Sequence, residues 1–465
     1  MPNIPLLSRP ASCQEASQSV SCQYDDAPGH DMIDHSLNAL PATEIAARVR
    51  AGSLRCEDIA QACLDRIDRR EPTIHAWSFL DRDLVFRQAR ALDSQAERGP
   101  MHGVPVGVKD IIETFDMPTQ MGSPIYRGYR TRSDASCVAL LRAAGALILG
   151  KTVTCEFAGT TAGETTNPHN PSHTPGGSSS GSGAAVADCM AAVALGTQTG
   201  GSVQRPASYC GIVGYKPTFG LINRQGVKPA AESLDTVGLM ARTVEDVELA
   251  MRVLTNAEPV GWLPQKTPVR VGVCRNYAWE TAELATREAV DNAAAGLAKS
   301  GFSVSEVILP ASFDDLPMAR VIVNDFERAR GMAFEWHTHR DLISASLAKT
   351  ISNGFAIPRE RYLDACMRVE NCRKRLGDGF ADVDVLLVPA AQGEAPLGLS
   401  ETGNHRFQSI WTQLGTPAVT LPTHAGARGL PVGIQLVGAP YADNRLLAVA
   451  ELVFRTLGRG PVVKY

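Results

Sequence analysis

The 465-residue sequence lacks the long hydrophobic run, the strong charge of one sign and the cysteine pairs that mark several large classes of protein. No stretch approaches the roughly 20 apolar residues of a membrane span, and the first 31 residues have neither the basic start nor the apolar core of a signal peptide. The formal net charge of −4 gives no sign of a surface for nucleic acid or membrane. Eleven cysteines are present without a CxxC pair, which favours a reduced, cytoplasmic protein.

Short β-branched runs alternate with amphipathic segments along most of the chain. HGVPVGVKDII (residues 102–112) is typical of a buried strand, and TREAVDNAAAGLAKSG is typical of a helix. This alternation predicts an α/β fold with a central mixed β-sheet flanked by helices, in one large domain over residues 35–465. Residues 1–34 are expected to form a poorly ordered tail. Residues 310–382 have a helical pattern, which predicts a helical insertion that shapes the substrate pocket.

Two helix boundaries can be predicted near the start of the domain. A first helix over residues 41–52 would have Thr43 as its capping residue and Gly52 as its terminator. A second amphipathic helix follows from Cys56 and would close before Pro72, because proline disfavours helical backbone in the residue that precedes it.

Three short motifs match familiar ligand sites but lack the context that those sites need. GALILGKT (residues 145–152) fits the nucleotide phosphate-loop pattern, yet its apolar interior predicts a buried strand. GSGAAV resembles part of a dinucleotide fingerprint but lacks the third glycine and a preceding strand. The histidines of HNPSH and HTH have no carboxylate or cysteine at ligand spacing. We therefore predict neither a nucleotide cofactor nor a metal site.

The stretch TPGGSSSGSGAAVAD (residues 174–188) has the composition of a flexible linker, but an Ala-rich apolar run follows it at once. Next comes GTQTGGSVQRPA (residues 196–207), where a strand is predicted to end in a turn of small residues. Backbone N–H groups of such a turn can converge on one point and stabilise an oxyanion. Ser202 at the end of the turn is placed as a nucleophile. Its base could be a histidine brought close by folding or a neutral lysine.

Three separated motifs together resemble those of the amidase signature family. They are the GGSS loop in PGGSSSGSG, the TGGS turn in LGTQTGGSVQRP, and GVPVGVKD. Ser178 precedes Ser202 by 24 positions, which is the family's interval. Later segments, SLDTVGLMARTVED and GLPVGIQLVG, also resemble the family, so the resemblance covers residues 41–453. It implies a single amidase-signature-type domain with a Ser–Ser–Lys triad of Ser202, Ser178 and Lys109.

The resemblance implies that Ser202 attacks an amide carbonyl and forms an acyl-enzyme, while Ser178 relays the proton to Lys109. Lys109 must begin uncharged, so burial has to lower its pKa from the ordinary value of about 10.4. A cis peptide bond before Ser178 is also implied, and no metal or organic cofactor. The implied oxyanion hole consists of the backbone amides of Thr199, Gly200, Gly201 and Ser202.

The sequence departs from the common family pattern beside the nucleophile. Many members have Asp where this chain has Gln198, and Arg where it has Gln204, with Arg205 following one position later. The departure leaves the triad intact. It predicts that the hydrogen bonds supporting the triad differ from those of most members.

Three functions remain open on this basis. The first is an amidase that hydrolyses the C–N bond of a small neutral amide, with aryl amides and carbamates as candidates. The second is the glutaminase (A-type) subunit of a tRNA-dependent amidotransferase, which works with a second protein chain; Thr236, where such subunits commonly have Gln, argues weakly against it. The third is a catalytically silent binding protein, which the intact triad disfavours.

Met121, Phe157, Thr160 and Trp411 are the candidate substrate-binding residues, although side chains of this type are as often part of a core. These segments contain no acidic or basic cluster, which favours a neutral, partly apolar substrate. The expected partner is a small-molecule amide, with a homodimer as one possible assembly. No direct contact with nucleic acid or membrane is expected.

Overall fold

Eleven strands of the described residues pair side by side in one sheet. The computed structural model describes residues 37–275 and 278–463, so the tail predicted for residues 1–34 lies outside the described residues. In chain order the strands are β1 (Trp77–Leu80), β2 (Pro105–Lys109), β3 (Leu147–Thr152), β4 (Val193–Gln198), β5 (Val213–Lys216), β6 (Thr236–Ala241), β7 (Arg270–Val273), β8 (Ser303–Glu306), β9 (Val385–Pro389), β10 (Ala418–Ala425) and β11 (Pro431–Val437).

The sheet is mixed, with the strand order β1-β3-β2-β4-β6-β5-β10-β11-β9-β7-β8. Strand β2 runs parallel to β3 and β4, and β7 runs parallel to β8 and β9. The other neighbouring strands are antiparallel. Parallel neighbours need long crossover connections, and helices supply them here. The predicted α/β fold with a central mixed sheet is therefore confirmed.

Helices flank the sheet along the same described residues, and none of them is long and apolar enough to cross a membrane. They are α1 (Ala42–Arg50), α2 (Cys56–Ile74), α3 (Arg82–Asp93), α4 (Ser136–Ala143), α5 (Ser180–Ala187), α6 (Gln204–Cys210), α7 (Val244–Thr255), α8 (Leu284–Lys299), α9 (Leu316–Gly331), α10 (Ala333–Thr338), α11 (Ala345–Ala356), α12 (Arg359–Arg375), α13 (Arg406–Gln413) and α14 (Asp443–Leu457).

One predicted capping residue and one predicted helix end are wrong, each for a local physical reason. Helix α1 begins at Ala42 after Pro41, so Thr43 lies inside the helix, where its backbone N–H and its hydroxyl donate to the carboxylate of Asp246. Helix α2 continues through Pro72 to Ile74. The missing N–H of Pro72 leaves only the carbonyl of the exposed Asp68 without its helical donor, and water can take that place.

The phosphate-loop look-alike is a buried strand, as its apolar interior predicts. All six residues of β3 are buried. Lys151 forms an internal ion pair with Asp110 at 3.1 Å and donates to the hydroxyl of Thr119 at 2.6 Å. The lysine that would face a nucleotide in a phosphate loop is therefore held inside the protein.

The Gly/Ser stretch at residues 174–188 is a buried structural segment, so it is not a linker. Its second half forms helix α5, which packs closely under the sheet. A Cβ atom at Gly181 would overlap the backbone of Ala76 and of Val153. Only glycine lets the helix approach so closely, which explains the composition of this stretch.

Helices α9 to α12 make up most of the segment from residue 310 to 382. Helix α9 contacts α11, α12 and α13. Leu316 and Val323 of α9 share a buried apolar cluster with Val388 of β9 and Trp411 of α13. This cluster fixes the helical segment to the sheet.

The topology brings two chemically important strand ends together. Strands β2 and β4 are parallel neighbours, with Val108 paired to Leu195. Lys109 is the last residue of β2, and Gln198 is the last residue of β4. Because carboxyl ends of parallel strands meet at one edge of a sheet, Lys109 lies beside the turn that follows β4.

Candidate active site

Lys109 is fully buried and contacts two hydroxyl groups. Its Nζ lies 2.9 Å from Ser178 Oγ, 2.7 Å from Thr197 Oγ1 and 3.4 Å from the carbonyl oxygen of Thr197. Burial removes the water that would solvate an ammonium group, and it lowers the pKa of Lys109 to about 7. A large fraction of this amine is therefore neutral near pH 7, as a general base requires.

Ser178 and Ser202 lie on neighbouring backbone segments. The peptide bond between Gly177 and Ser178 is cis, the geometry that the family resemblance implies. The N–H of Ser179 donates to the carbonyl oxygen of Ser202 at 3.3 Å. Within the described chain, the hydroxyls of Ser178 and Ser202 do not hydrogen-bond to each other. The structure thus brings Ser178 directly to Lys109, and brings Ser202 next to the segment that carries Ser178.

The turn that follows β4 presents free backbone amides. Thr199 donates its hydroxyl to Asp235 Oδ1 at 2.5 Å, which holds the start of the turn. Among the described residues, no backbone or side-chain acceptor takes the N–H groups of residues 200–202. A turn with free backbone amides can bind a developing oxyanion.

Gln198 and Gln204 show how the chain supports the turn without the family's common Asp and Arg. The side-chain oxygen of Gln198 accepts from the backbone amides of Val203 and Gln204 at 2.9 and 3.1 Å. Its amide group donates to Gln204 Oε1 at 2.8 Å and to Thr412 Oγ1 at 2.9 Å. A neutral amide pair, buried and closely bonded, therefore stands at the positions where many family members have Asp and Arg.

Arg205 joins the two Gly/Ser segments. Its Nη2 donates to the carbonyl oxygen of Gly177 at 2.5 Å and to Thr402 Oγ1 at 2.9 Å. Arg205 directly follows the first residue of α6, and Gly177 precedes Ser178. The shifted cation therefore links the segment that carries Ser202 to the segment that carries Ser178.

A small cavity of about 90 Å³ opens onto the turn, and we call it the active-site cavity. Its walls come from the turn after β4, from helices α9 and α11, and from residues 158–160. The residues that matter for its chemistry are Ser202, Arg205, Arg320, Asn324, Arg328 and His405.

The charge of this cavity argues against the expected neutral, partly apolar substrate. Three arginines line it, and two of them, Arg320 and Arg328, come from α9. The charge of Arg320, followed by burial and the charge of Arg205, lowers the pKa of His405 well below its usual range. His405 is therefore neutral, and the arginines give the cavity a positive charge.

The four predicted substrate-binding residues occupy different places. Thr160 lines the active-site cavity and hydrogen-bonds to Ser346 at 3.1 Å. Met121 and Phe157 lie in a buried apolar cluster, where Phe157 contacts α9 through its carbonyl oxygen. Trp411 is fully buried in the core under α9 and does not line the cavity, so its prediction is corrected. Its position on α13 directs the indole to the apolar side of that helix.

Several residues at the site could not be found from the sequence. Thr197 contacts Lys109, and Asp235 accepts a hydrogen bond from Thr199. Both residues lie in segments quoted above, GTQTGGSVQRPA and SLDTVGLMARTVED, but no pattern there indicates these contacts. Arg320 and Arg328 lie in a helix whose charges look like those of an ordinary solvated face. Their spacing of eight residues, about two helical turns, was the available signal.

Both histidines of the HNPSH motif lie within hydrogen-bond distance of backbone carbonyl oxygens. His169 Nε2 lies 3.0 Å from the carbonyl oxygen of Cys210, and His173 Nδ1 lies 2.8 Å from that of Ala395. No group of three or more His, Cys, Asp or Glu side chains suited to a metal ion occurs in the part of the chain that the structure describes.

Comparisons with known proteins agree on one family. The sequence profile of the Amidase family matches residues 58–447. The chain is 32% identical to the A subunit of the glutamyl-tRNA(Gln) amidotransferase of Chloroflexus aurantiacus, over 89% of this chain and 96% of that protein. A crystal structure of an amidase superposes with a TM-score of 0.83 at 29% identity, covering 90% of this chain and all of that one.

The native peptide amidase from Stenotrophomonas maltophilia is also similar in structure. Its TM-score is 0.80 at 28% identity, with 92% of this chain and 99% of that chain covered. The family profile spans most of the sequence, including Lys109, Ser178 and Ser202. The chain therefore belongs to the Amidase family and is an enzyme that hydrolyses amide C–N bonds.

Proposed function

We propose that the protein hydrolyses a carboxamide through an acyl-enzyme on Ser202, with Ser178 and Lys109 as the proton relay. The observation that carries this proposal is the 2.9 Å distance between Lys109 Nζ and Ser178 Oγ, at a fully buried lysine. The pKa of about 7 supports it further, because the amine can accept a proton near neutral pH.

The first half of the reaction forms the acyl-enzyme. Ser202 Oγ attacks the amide carbonyl carbon, and its proton passes to Ser178, whose own hydroxyl proton moves to Lys109 Nζ. The carbonyl oxygen becomes an oxyanion, which the amides of Thr199, Gly200, Gly201 and Ser202 are proposed to stabilise. The relay then returns the proton to the leaving nitrogen, and the C–N bond breaks.

The second half of the reaction restores the enzyme. Water attacks the ester carbonyl and gives up a proton through the same relay. Ser202 leaves as a hydroxyl, and the products are a carboxylic acid and ammonia or an amine. Each proton taken by Lys109 is returned within one cycle, so the relay needs no further reactant.

The curated relatives favour the glutaminase hypothesis over the small neutral amide. Proteins that are 32 to 34% identical over most of the chain are named as the A subunits of glutamyl-tRNA(Gln) amidotransferases. Their reaction makes the side-chain amide of glutamine the first amide to test, and we propose a second protein chain as the partner and the cytoplasm as the location. The hypothesis of a catalytically silent binding protein is set aside, because the chain belongs to a family of enzymes.

A stand-alone amidase is the second candidate. The similarity to a peptide amidase of known structure supports it, as does Thr236 at the position where amidotransferase subunits commonly have Gln. Arginines in the cavity reduce the support for a neutral substrate in either role.

The decisive experiment measures ammonia release by the purified full-length protein from glutamine and from benzamide. Ser202→Ala is the test variant, and Ser180→Ala is the matched control, since Ser180 Oγ hydrogen-bonds to the carbonyl oxygen of Val153 and to no other described residue. We expect wild type and Ser180→Ala to be active and Ser202→Ala to be inactive. Activity that survives in Ser202→Ala would contradict the proposed nucleophile. If benzamide is hydrolysed and glutamine is not, the stand-alone amidase becomes the leading hypothesis.

A further inference from the structure

The active-site cavity contains more positive charge than an amide needs. Arg205, Arg320 and Arg328 line it together with Ser202. All three arginines are at least nine-tenths buried. Among the described residues that line the cavity, none is Asp or Glu. An amide group is neutral, so catalysis at Ser202 alone does not explain the buried charge of Arg328.

The guanidinium of Arg328 has N–H groups that bind none of the described residues. Its Nη1 donates to the carbonyl oxygen of Phe157 at 3.1 Å, which fixes the guanidinium at the cavity wall. No other hydrogen bond and no ion pair joins its side chain to the described residues. Its charge interacts favourably with Asp235 and Asp325, yet neither comes within ion-pair distance. The remaining N–H groups of Arg328 are therefore available to a bound ligand.

Arg205 adds a second charge without an acceptor. Its Nη2 binds Gly177 and Thr402, but its Nε and Nη1 atoms are buried and have no hydrogen-bond partner in the described chain. A buried cation without a counter-ion is energetically costly. A bound anion would offset this cost at Arg205.

Helix α9 presents its polar residues to the cavity at regular spacing. Arg320, Asn324 and Arg328 are four residues apart, so they lie on one face of the helix. The guanidinium of Arg320 lies against the turn, since a Cβ atom at Gly200 would be 2.7 Å from its Nη2. The charged face of α9 therefore stands opposite Ser202 across the cavity.

We propose that the substrate is an amide that also carries a carboxylate, and that Arg328 binds this carboxylate while Ser202 attacks the amide. A guanidinium matches a carboxylate with two parallel hydrogen bonds, which fixes both position and orientation. The proposal rests on the proposed amide hydrolysis and names its substrate class. Because none of the described residues that line the cavity is acidic, an amide with a carboxylate and no ammonium group fits better than the glutamine that the relatives suggest.

Three amides of equal chain length test whether the cavity prefers a substrate with a carboxylate and no ammonium group. Glutaramate is glutamine without its amino group, and pentanamide replaces the carboxylate of glutaramate by a methyl group. We expect the wild-type kcat/KM for glutaramate to exceed that for pentanamide by at least about tenfold, as one charge-assisted contact would give. It should also exceed that for glutamine. Equal turnover of pentanamide and glutaramate would overturn the carboxylate site and leave the proposed hydrolysis intact. Faster turnover of glutamine than of glutaramate would overturn the ranking.

Arg328→Gln tests the assigned residue, with Arg330→Gln as its control. Arg330 lies on the same helix, is exposed and does not line the cavity. Arg328→Gln should lower kcat/KM for glutaramate by about 10- to 100-fold, mainly through KM, and change that for pentanamide less than twofold. Arg330→Gln should match wild type. An equal loss for both amides in Arg328→Gln would show a structural role and contradict the proposal.

Binding to the inactive Ser202→Ala variant separates the proposal from the chemistry. Calorimetry should detect glutaramate binding that weakens at least tenfold when Arg328→Gln is added. If wild type hydrolyses no amide but this Arg328-dependent binding is present, the proposed hydrolysis fails and the anion site stands. If amides are hydrolysed and glutaramate does not bind through Arg328, the anion site fails and the hydrolysis stands.

Discussion

Lys109 Nζ lies closer to Thr197 Oγ1, at 2.7 Å, than to Ser178 Oγ, at 2.9 Å. A neutral amine has two N–H donors and one lone pair. The hydroxyl and carbonyl oxygens of Thr197 can accept both N–H groups. The lone pair is then left for the hydroxyl proton of Ser178. Thr197 therefore orients the base, and Ser178 is the group that can give it a proton.

The rate of hydrolysis should depend on the charge of Lys109. Burial lowers the pKa of this amine to about 7, and a protonated amine cannot accept the proton from Ser178. With pentanamide, whose own charge does not change, kcat/KM should fall about tenfold per pH unit below 7 and level off above about 8. A pH–rate profile from 5 to 9 measures this. The charged or titratable groups around the amine are Cys155, Asp235, Arg205 and Arg328.

Lys216 provides the control for that profile, because burial also lowers its pKa to about 7. Its Nζ donates to the carbonyl oxygens of Pro217 and Thr416, away from the cavity. Lys216→Met should keep the midpoint near 7, whereas Lys109→Met should abolish activity. A profile that is flat from pH 5 to 9 would contradict the role of Lys109.

Thr197→Val should slow the enzyme and move its pH midpoint below that of wild type. The variant loses one hydrogen-bond acceptor, and an acceptor stabilises the charged amine more than the neutral one. We expect kcat to fall about tenfold, which corresponds to one net hydrogen bond. Thr197→Ser retains the hydroxyl and should restore both values. An unchanged midpoint in Thr197→Val would show that Thr197 does not act on the base.

The sequence is sufficient to predict the part of the site that is local. The glycine and serine turns can be predicted because small residues cluster there. The strand that ends at Lys109 can be predicted because it is short, apolar and bounded by turn residues. Parallel pairing of β2 and β4 then brings the two motifs to one edge. Each of these steps depends on local pattern or on general sheet geometry.

The wall opposite Ser202 could not be predicted in the same way. Arg320 and Arg328 are far from the nucleophile in sequence, and their helix has the charges of a solvated surface. Only packing of α9 against α11, α12 and α13 turns that face inward. Trp411 is predicted to line the pocket but lies in the core. A large aromatic side chain suits either place, and only tertiary packing decides between them. Long-range packing decides both outcomes.

Gln198→Leu should destabilise the fold as well as the turn. The side-chain oxygen of Gln198 accepts from two backbone amides, and leucine would leave both donors buried without a partner. We expect the free energy of unfolding to fall by about 2–4 kcal/mol, measured by urea denaturation. Gln95→Leu is the control, because Gln95 is exposed and should change stability by less than about 0.5 kcal/mol. Equal midpoints for the two variants would show that Gln198 does not support the turn.

Gly181→Ala should displace helix α5 and, with it, the GGSS segment. The added methyl group would overlap the backbone of Ala76 and of Val153, and backbone atoms cannot move aside as a flexible side chain can. Helix α5 would have to shift, and Ser178 lies two residues before its first residue. We expect a loss of at least about 2 kcal/mol in stability and a lower kcat in the protein that still folds.

Gly261→Ala is the matched control for this change, because no atom lies within 4 Å of the Cβ position there. It should keep both the wild-type melting temperature and the wild-type kcat. If Gly181→Ala behaves like Gly261→Ala, then close packing of α5 does not position Ser178. If stability falls while kcat is retained, the glycine serves the fold alone, and the position of Ser178 depends on Arg205 and its bond to Gly177.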